Sequence, residues 1–429
     1  MLELASPRRT VLCVLVCALA IWACEAGAQA FTKIADLQTP IPGGTGAFTN
    51  LTQPQVSLGN VVFAGAGLNN QRGIYRFDAT SGTVSPIVDG RAPLPTGGQL
   101  TYLEGLGWSV YGADVSFLSY GATGIDGIVL YTTRGGLHEV PGVNAFQLFS
   151  SPPQAPTSMA SRYITFGWSW QSRFGPPLKT YGAVYDTGET FVRNFGWTVE
   201  RFLARDSGGP VLTRLTNAGI PAYNYLASAA GTFEFSDRLG LGNTYRPNFF
   251  LPGEPTTSYT FLGTNPTFSA DDRASVALVA YSSPDADINH RTQWGVYTKA
   301  GTGGVLTTVA NNQTPVPNRQ GGATFASFDA VAIDGPNIVF IGSSAAGPAG
   351  MFMWSNGSLG EVLSVGDSLD GKTISSLSFS DDRPLSGNDL VFTAGFTDGS
   401  KGLFLTQVPE PAALGCVAAA VLILSRRRG

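Results

Sequence analysis

Several groups of residues in this 429-residue chain have types and spacings suited to chemistry. Asp206-Ser207-Gly208-Gly209-Pro210 sets a serine, the residue type of an acyl-transfer nucleophile, in a glycine-proline turn. Acyl transfer also needs a histidine base oriented by a carboxylate. The chain has two histidines, His138 and His290. His138 would have to reach Ser207 from a separate segment, and a glycine-proline turn between strands explains the motif with less. Asp285-Ala286-Asp287-Ile288-Asn289 alternates oxygen ligands in the way a calcium loop does. An EF-hand would need glycine sixth and glutamate twelfth, where this chain has His290 and Val296, so Asp285, Asp287 and Asn289 stand as a weak calcium candidate or as a polar loop. Glu104, Asp114, Asp186 and Glu189 are the residue types of acid and base in glycosidic cleavage, but sequence does not pair them. Trp168, Trp170, Trp197 and Trp294 suit stacking on flat sugars, and equally suit packing between sheets. No glycine-rich segment is followed by the Lys-Ser/Thr of a phosphate loop. No cofactor is expected.

The serine segment resembles the nucleophile loop of trypsin-like enzymes. Neither histidine has the Ala-Ala-His-Cys setting of that family, so no catalytic residue is expected there. Composition narrows the classes further. All four cysteines lie near the ends, at Cys13, Cys17, Cys24 and Cys416. Residues 31–407 therefore have no disulfide, thiol nucleophile or thiolate metal site. The whole chain carries 26 basic and 30 acidic residues. Its two end segments hold five basic and three acidic ones, leaving 21 and 27 between them. A net charge near −6 makes a poor partner for nucleic acid.

Any such groups must be positioned by a repeat. One signature is a hydrophobic strand ending in a small residue. It appears as Val61-Val62-Phe63-Ala64-Gly65, Val115-Ser116-Phe117, Tyr163-Ile164-Thr165-Phe166-Gly167, Val276-Ala277-Leu278-Val279, Ile338-Val339-Phe340-Ile341-Gly342 and Leu390-Val391-Phe392. A second is a glycine, an aliphatic residue and usually an aromatic, beginning at Gly73, Gly127, Gly182, Gly295, Gly350 and Gly402. These glycines step by 54, 55, 113, 55 and 52 residues. Gly231-Thr232-Phe233 is the candidate for a member missing in the long step. A third signature runs from Ile34-Ala35-Asp36 to Thr39-Pro40-Ile41-Pro42, and recurs at Ile87-Val88-Asp89 and Val309-Ala310-Asn311. Its alternate prolines favour an extended path without ladder hydrogen bonds and suit a crossing between sheets. Ser269-Ala270-Asp271-Asp272-Arg273 and Ser380-Asp381-Asp382-Arg383 form a recurring turn, in which Ser and Asp serve nearby amides.

Each unit has room for four strands, in the first Thr49–Leu58, Asn60–Gly65, Gly73–Phe77 and Thr83–Val88. Short antiparallel strands in a tandem repeat predict an all-β protein, a β-propeller of about seven four-stranded blades over residues 31–407. A 54-residue period is too short for separate sandwich domains. The units resemble an uncharacterised bacterial repeat family over much of 34–140 and 308–406. That resemblance implies an exported propeller-like protein and brings no known catalytic residues.

The two ends read as address labels. In residues 1–30, Arg8 and Arg9 precede an apolar run from Val11 to Ala23, and Ala28-Gln29-Ala30 offers a small-x-small cleavage site before Phe31. The segment Pro7 to Leu12 partly resembles a twin-arginine signal, and Ile21 to Cys24 faintly a lipobox. In residues 408–429, Val408-Pro409-Glu410-Pro411 precedes a 13-residue apolar run and Arg426-Arg427-Arg428. The run is short beside the about 20 residues of a spanning helix, and the arginines would stay cytoplasmic. This order resembles the PEP-CTERM sorting signal. It implies a short transmembrane helix, processing by an exosortase-type protease near Pro409-Glu410-Pro411, and delivery to the cell envelope, the cell surface or the extracellular space. The expected role is a non-catalytic binding or structural protein of the envelope or matrix, with extracellular polysaccharide or surface proteins as partners. The alternative is a secreted polysaccharide hydrolase or lyase with carboxylates in the propeller funnel.

Overall fold

The structure, a computed structural model, describes residues 30–69, 71–90, 93–95, 108–121, 124–139, 251–255, 275–284, 290–299, 305–380 and 382–408, and elsewhere between 158 and 270 the strands alone, by their backbone. Strands dominate. The one helical piece among the described residues is a single turn at Gln320–Gly322.

Consecutive strands pair antiparallel into sheets. Sheet I has four strands, Asn50–Ser57, Asn60–Ala66, Arg72–Asp78 and Thr83–Asp89, in chain order. These bounds lie within two residues of the sequence expectation. Sheet II repeats the pattern with Trp108–Tyr111, Asp114–Gly121, Gly124–Thr132 and Gly136–Glu139. Sheet III has seven strands between Ser158 and Glu234, and its fourth, Phe191–Ala204, pairs with the third over one part and the fifth over another. Gly231–Glu234 is the last strand of that sheet. The candidate Gly231-Thr232-Phe233 thus sits on a final strand, whereas the other glycine signatures sit on third strands. Sheet IV spans Tyr259–Asn311, and sheet V comprises Phe325–Asp334, Asn337–Ser344, Gly350–Ser355 and Ser358–Ser364.

Sheet VI closes the chain on itself. Of its six strands, the four long ones are Lys372–Ser378, Asp389–Phe396, Lys401–Gln407 and, from the other end of the chain, Phe31–Asp36; Ser368–Leu369 and Leu385–Ser386 are two-residue additions. Phe31 pairs with Thr406 and Asp36 with Gly402, antiparallel, with one register slip between Lys33 and Ala35. Ile34-Ala35-Asp36 is thus the end of a fourth strand, as Val88-Asp89 and Ala310-Asn311 are in their sheets.

The cores lie between successive sheets. Val62, Ala64 and Ile74 of sheet I pack with Trp108, Val115 and Phe117 of sheet II. Phe63 and Tyr75, on the opposite face of sheet I, pack with Val391 and Leu403 of sheet VI and with Ile34. Sheets IV and V share a core, and so do V and VI. A strand buried on both faces has no polar alternation, which is why Val61-Val62-Phe63-Ala64 reads as an unbroken apolar run.

The glycine signature has a steric cause. In sheet I the rings of Phe48, Phe63 and Tyr75 interlock, with centroids 5.0–5.8 Å apart. Phe325, Phe340 and Phe352 repeat the arrangement in sheet V at 4.9–5.6 Å. The glycine stands two residues before the third-strand aromatic, on the same face. A Cβ at Gly73 would lie 2.7 Å from the Tyr75 ring, and one at Gly350 2.9 Å from the Phe352 ring. The fourth strand slips register opposite this place in sheets I, IV and V, bringing its backbone close as well.

The connectors are copies too. The Thr39 hydroxyl donates to Asp36 Oδ1 at 2.9 Å and accepts from the Asp36 amide at 2.9 Å. Thr314 and Asn311 repeat both bonds at 3.0 and 2.9 Å. This ties the threonine before each proline pair to the end of the preceding strand, and turns Ile41 and Val316 into the core.

Candidate functional site

The chain divides its loops between two ends of the sheets. At the hairpin end lie the turns between first and second strands and between third and fourth. At the connector end lie the turns between second and third strands and the crossings between sheets. The two ends differ in chemistry.

At the hairpin end, a chain of hydrogen bonds passes from sheet to sheet. In sheets I, II and V the first strand, and in sheet VI the short strand Leu385–Ser386, ends in a tight turn with a left-handed residue: Leu58 (φ 49°), Gly112 (φ 57°), Gly335 (φ 58°) and Gly387 (φ 58°). The residue before that position receives the turn amide of the next sheet. Asp334 Oδ2 of sheet V accepts from the Gly387 amide. Ser386 Oγ of sheet VI accepts from the Leu58 amide at 3.1 Å, and Ser57 Oγ of sheet I accepts from the Gly112 amide at 2.8 Å. The links run V to VI to I to II, straight across the seam where the two chain ends meet.

A second layer lies just inside. The buried Gln55 amide group of sheet I donates to the Trp108 carbonyl and accepts from the Val110 amide of sheet II, both at 3.1 Å. Ser380, Asp382 and Arg383 lie between the sheet VI strands Lys372–Ser378 and Leu385–Ser386 and reach past sheet I. The Arg383 carbonyl accepts from the Val56 amide at 2.8 Å. Asp382 Oδ2 accepts from the Ser109 hydroxyl of sheet II at 2.7 Å, with both residues buried. The Arg383 guanidinium lies 5.3 Å from the Tyr111 ring centre. Ser380 does serve the nearby Asp382 amide, at 3.2 Å. The carboxylate, however, spans 273 residues to its partner. With both side chains buried, this serine–aspartate contact straps sheets VI, I and II together. Ser109→Ala should destabilise the protein by about 1–3 kcal/mol, because it leaves a buried carboxylate oxygen short of a donor; urea unfolding is the measurement.

The described chain begins and ends at this end. Val408, first residue of the expected sorting motif, is buried in the core between sheets V and VI, and its amide donates to the Asn388 carbonyl at 2.8 Å. The Ala30 carbonyl accepts from the Thr406 hydroxyl at 2.9 Å. Lys33 on the closing strand is 3.1 Å from Asp36 and 2.9 Å from Asp370. The Asp370 carboxylate, and then Asp36, holds its ammonium above the ordinary lysine pKa. Burial pushes Asp36 up, but the Thr39 hydroxyl, Lys33 and the Gln38 amide together hold it below the ordinary carboxylate value. Ala28, Gln29, Pro409, Glu410, Pro411 and Arg426 to Arg428 lie outside the described residues. Among the described residues no helix is long and apolar enough to cross a membrane.

At the connector end, sheet IV stands apart. Its second and third strands are Val276–Ser283 and Gln293–Lys299. Tyr281 and Trp294 are cross-strand partners there. The exposed Arg291 guanidinium lies over both rings, 5.5 Å from the Tyr281 centroid and 5.0 Å from that of Trp294. The Trp294 indole N–H donates to the Ala326 carbonyl of sheet V at 3.0 Å, which fixes the ring. Beside it, the Thr292 hydroxyl lies 3.4 Å from both Glu254 carboxylate oxygens. Behind, Gln293 Nε2 donates to the Tyr297 hydroxyl at 3.0 Å; burial raises the pKa of that hydroxyl, against the effect of this bond.

The other expected site residues are scattered or undescribed. Asp114 sits in the Tyr111–Asp114 hairpin and accepts from the Thr133 amide at 3.3 Å, a turn contact. His138 is half-buried on Gly136–Glu139, and His290 is exposed. Glu104, Glu189, Asp206, Ser207, Asp285, Asp287 and Asn289 lie outside the described residues, as do the side chains of Asp186, Trp168, Trp170 and Trp197. Among the described residues no three His, Cys, Asp or Glu side chains gather as a metal site would require. Arg291 was not among the expected site residues. Only the aromatic type of Trp294 hinted at it.

A model described as a family of unknown function, DUF7453, matches residues 252–414. No curated protein matches the chain. Among solved structures, the chain is similar to an oligogalacturonate lyase in complex with manganese (12% identity, 82% of this chain and 86% of that one, TM-score 0.46). It is similar to the β-propeller domain of the Trilobed protease from Pyrococcus furiosus (10% identity, 85% and 96%, TM-score 0.47) and to the polysaccharide lyase Uly1 (9% identity, 89% and 98%, TM-score 0.47).

Proposed function

We propose that this chain is an exported, surface-sorted β-propeller of seven blades that binds or organises material of the cell envelope or extracellular matrix. Sheets I, II, IV, V and VI each supply one blade, and sheet III supplies two that share the long strand Phe191–Ala204. The observation that carries the reading is where the described chain has its first and last strands. Its first strand begins at Phe31, directly behind Ala28-Gln29-Ala30, and its last ends at Gln407, directly before the Val408-Pro409-Glu410-Pro411 motif. The described strands occupy the interval between the two expected address labels, and the first and last of them begin and end at the hairpin end. A tail anchored there would turn the connector end away from the membrane.

Cell fractionation with mass spectrometry of the chain ends is the test. The expected product starts at Phe31, lacks the segment behind the Pro-Glu-Pro motif, and is found in the envelope or medium. Full-length chain in the cytoplasm would contradict the reading. A polysaccharide hydrolase or lyase on the same exported fold is separated by incubating the purified protein with a polysaccharide panel. Released oligosaccharides would replace the binding role with a catalytic one.

A further inference from the structure

We propose that, while the C-terminal tail is in place, the hairpin end of the sheets rests on a lipid surface, with Leu58 as the residue that enters it. This rests on the reading of residues 412–424 as a membrane segment, and adds a second contact made by the folded part.

Three observations carry it. The first is a backbone outlier with no use inside the fold. Leu58 holds φ 49° in the turn between the first two strands of sheet I. Its counterparts in sheets II, V and VI are Gly112, Gly335 and Gly387. Glycine adopts this conformation freely, whereas a side chain there crowds its own backbone. The fold gains little in return, because Leu58 is 71% exposed. Its link to sheet VI uses the backbone amide, which a glycine would supply equally. Strain together with an exposed apolar side chain points to a partner outside the fold.

The second is where this leucine stands. Its amide donates to Ser386 Oγ at 3.1 Å, and the Val408 amide donates to the Asn388 carbonyl at 2.8 Å. The single turn 386–388 therefore holds both. Val408 is buried, so the chain leaves the folded part at a fixed point. From Val408 to Ala412, where the apolar run begins, the chain can span at most about 14 Å. A run lodged in a bilayer thus holds this turn, and Leu58 with it, close to the headgroup layer. Tethering gives the contact an effective concentration that a free protein lacks.

The third is the surroundings. A Cβ on Gly112 would lie 3.9 Å from Leu58 Cδ1. Tyr111 precedes that glycine, and the Arg383 guanidinium lies over its ring, 5.3 Å from the centre. Tyrosine and arginine suit a membrane–water boundary, since each has an apolar body and a polar tip. Two carboxylates of this end are already occupied. Asp334 accepts from the Gly387 amide, and Asp389 accepts from Gln407 Nε2 at 3.1 Å. Residues 31–407 hold more acidic than basic groups, so the contact is apolar and needs no anionic lipid.

The test is reconstitution of the purified full-length protein into phosphatidylcholine vesicles. These carry a phospholipid with a photoactivatable diazirine at the headgroup end of its acyl chain. Lipid adducts are located on chymotryptic peptides by mass spectrometry. The expected adducts fall on the tail and on the peptide containing Leu58. Leu68 is the control, a leucine 62% exposed in the turn 67–71 at the connector end, and should stay unlabelled. Leu58→Gly should lower labelling around residue 58 at least about fivefold, the loss of one apolar side chain from the lipid. It should leave the tail adducts unchanged and raise the urea midpoint, because the turn then has the residue that suits it. Tail adducts without adducts at Leu58, equal labelling of Leu68, or an unaltered Leu58→Gly pattern would overturn the proposal and leave the membrane reading of the tail standing. The first of these results would assign Leu58 to a protein partner. No adducts anywhere would remove the tail reading and this contact together.

Discussion

Ile34→Asp should lower stability by about 3–5 kcal/mol, an unusually large effect for a residue three positions behind the expected mature start. Ile34 is buried against Val391 and Leu403 on the strand that completes sheet VI. The change removes apolar contacts and places a carboxylate between sheets VI and I with no cation beside it. The loss has a ceiling, because the closing strand can detach before the buried charge exacts its full penalty. Detachment would expose a hydrophobic sheet edge, so aggregation on partial unfolding is part of the expected result. Thr32→Asp, on an exposed position of the same strand, should shift stability by no more than about 0.5 kcal/mol. Urea unfolding followed by tryptophan fluorescence reads both. Equal, small effects would mean that the strand is not part of the folded unit.

The second large effect is expected at Gly295. An alanine Cβ there would lie 2.3 Å from the Ala310 carbonyl oxygen and 2.8 Å from Asn311 Cα. Both are backbone atoms of the neighbouring strand, so relief requires moving the strand and not merely turning a side chain. Gly295→Ala should cost about 2–3 kcal/mol, the range of overpacking in a tight core. Gly360 provides the control. It also lies on a strand, Ser358–Ser364, but a Cβ there would meet nothing within 4 Å. Gly360→Ala should be neutral or stabilise by up to about 1 kcal/mol through the unfolded chain. The contrast separates glycines kept for close packing from glycines that are merely tolerated, and comparable losses at both would remove the steric account of the repeat signature.

The parts of this fold that were legible in the sequence are those that each sheet carries alone. The aromatic at position 75, 352 or 404 demands a glycine two residues earlier, and at Gly295 the neighbouring strand's backbone makes the same demand, so it recurs with the sheet and shows as a period. Thr39 and Thr314 recur because the same two hydrogen bonds end the same kind of strand. Interactions between sheets left weaker traces. The links across the hairpin end use Ser57, Asp334 and Ser386 as acceptors and Gly112, Gly387 and Leu58 as donors. Any short acceptor and any residue able to hold a left-handed turn will serve, so no fixed motif survives. Leu58 even keeps that conformation without being glycine, at 71% exposure. Closure was hidden for a different reason. Ile34-Ala35-Asp36 looks like the end of any fourth strand, and nothing local says that its partner is Gly402, 366 residues later. Asp382 reads as a turn residue, and its structural role appears only once sheets VI and II come together around Ser109.

The candidate site was less legible still. Residue types drew attention to Trp294, but the use of its face depends on Arg291, three residues earlier across a strand boundary. The irregular middle of the repeat was recognised from its missing glycine step, and the shared strand Phe191–Ala204 gives that irregularity a physical form: two sheets joined without a connector leave no room for the Thr-Pro signature.

The central claim is that the chain closes a ring by donating its first strand to its last sheet. Hydrogen exchange at the amides of residues 32–36 tests it most directly. A closed ring predicts protection there matching that of their partners in 402–407, with both segments opening together. Exchange of 32–36 within seconds while 402–407 stays protected would contradict it.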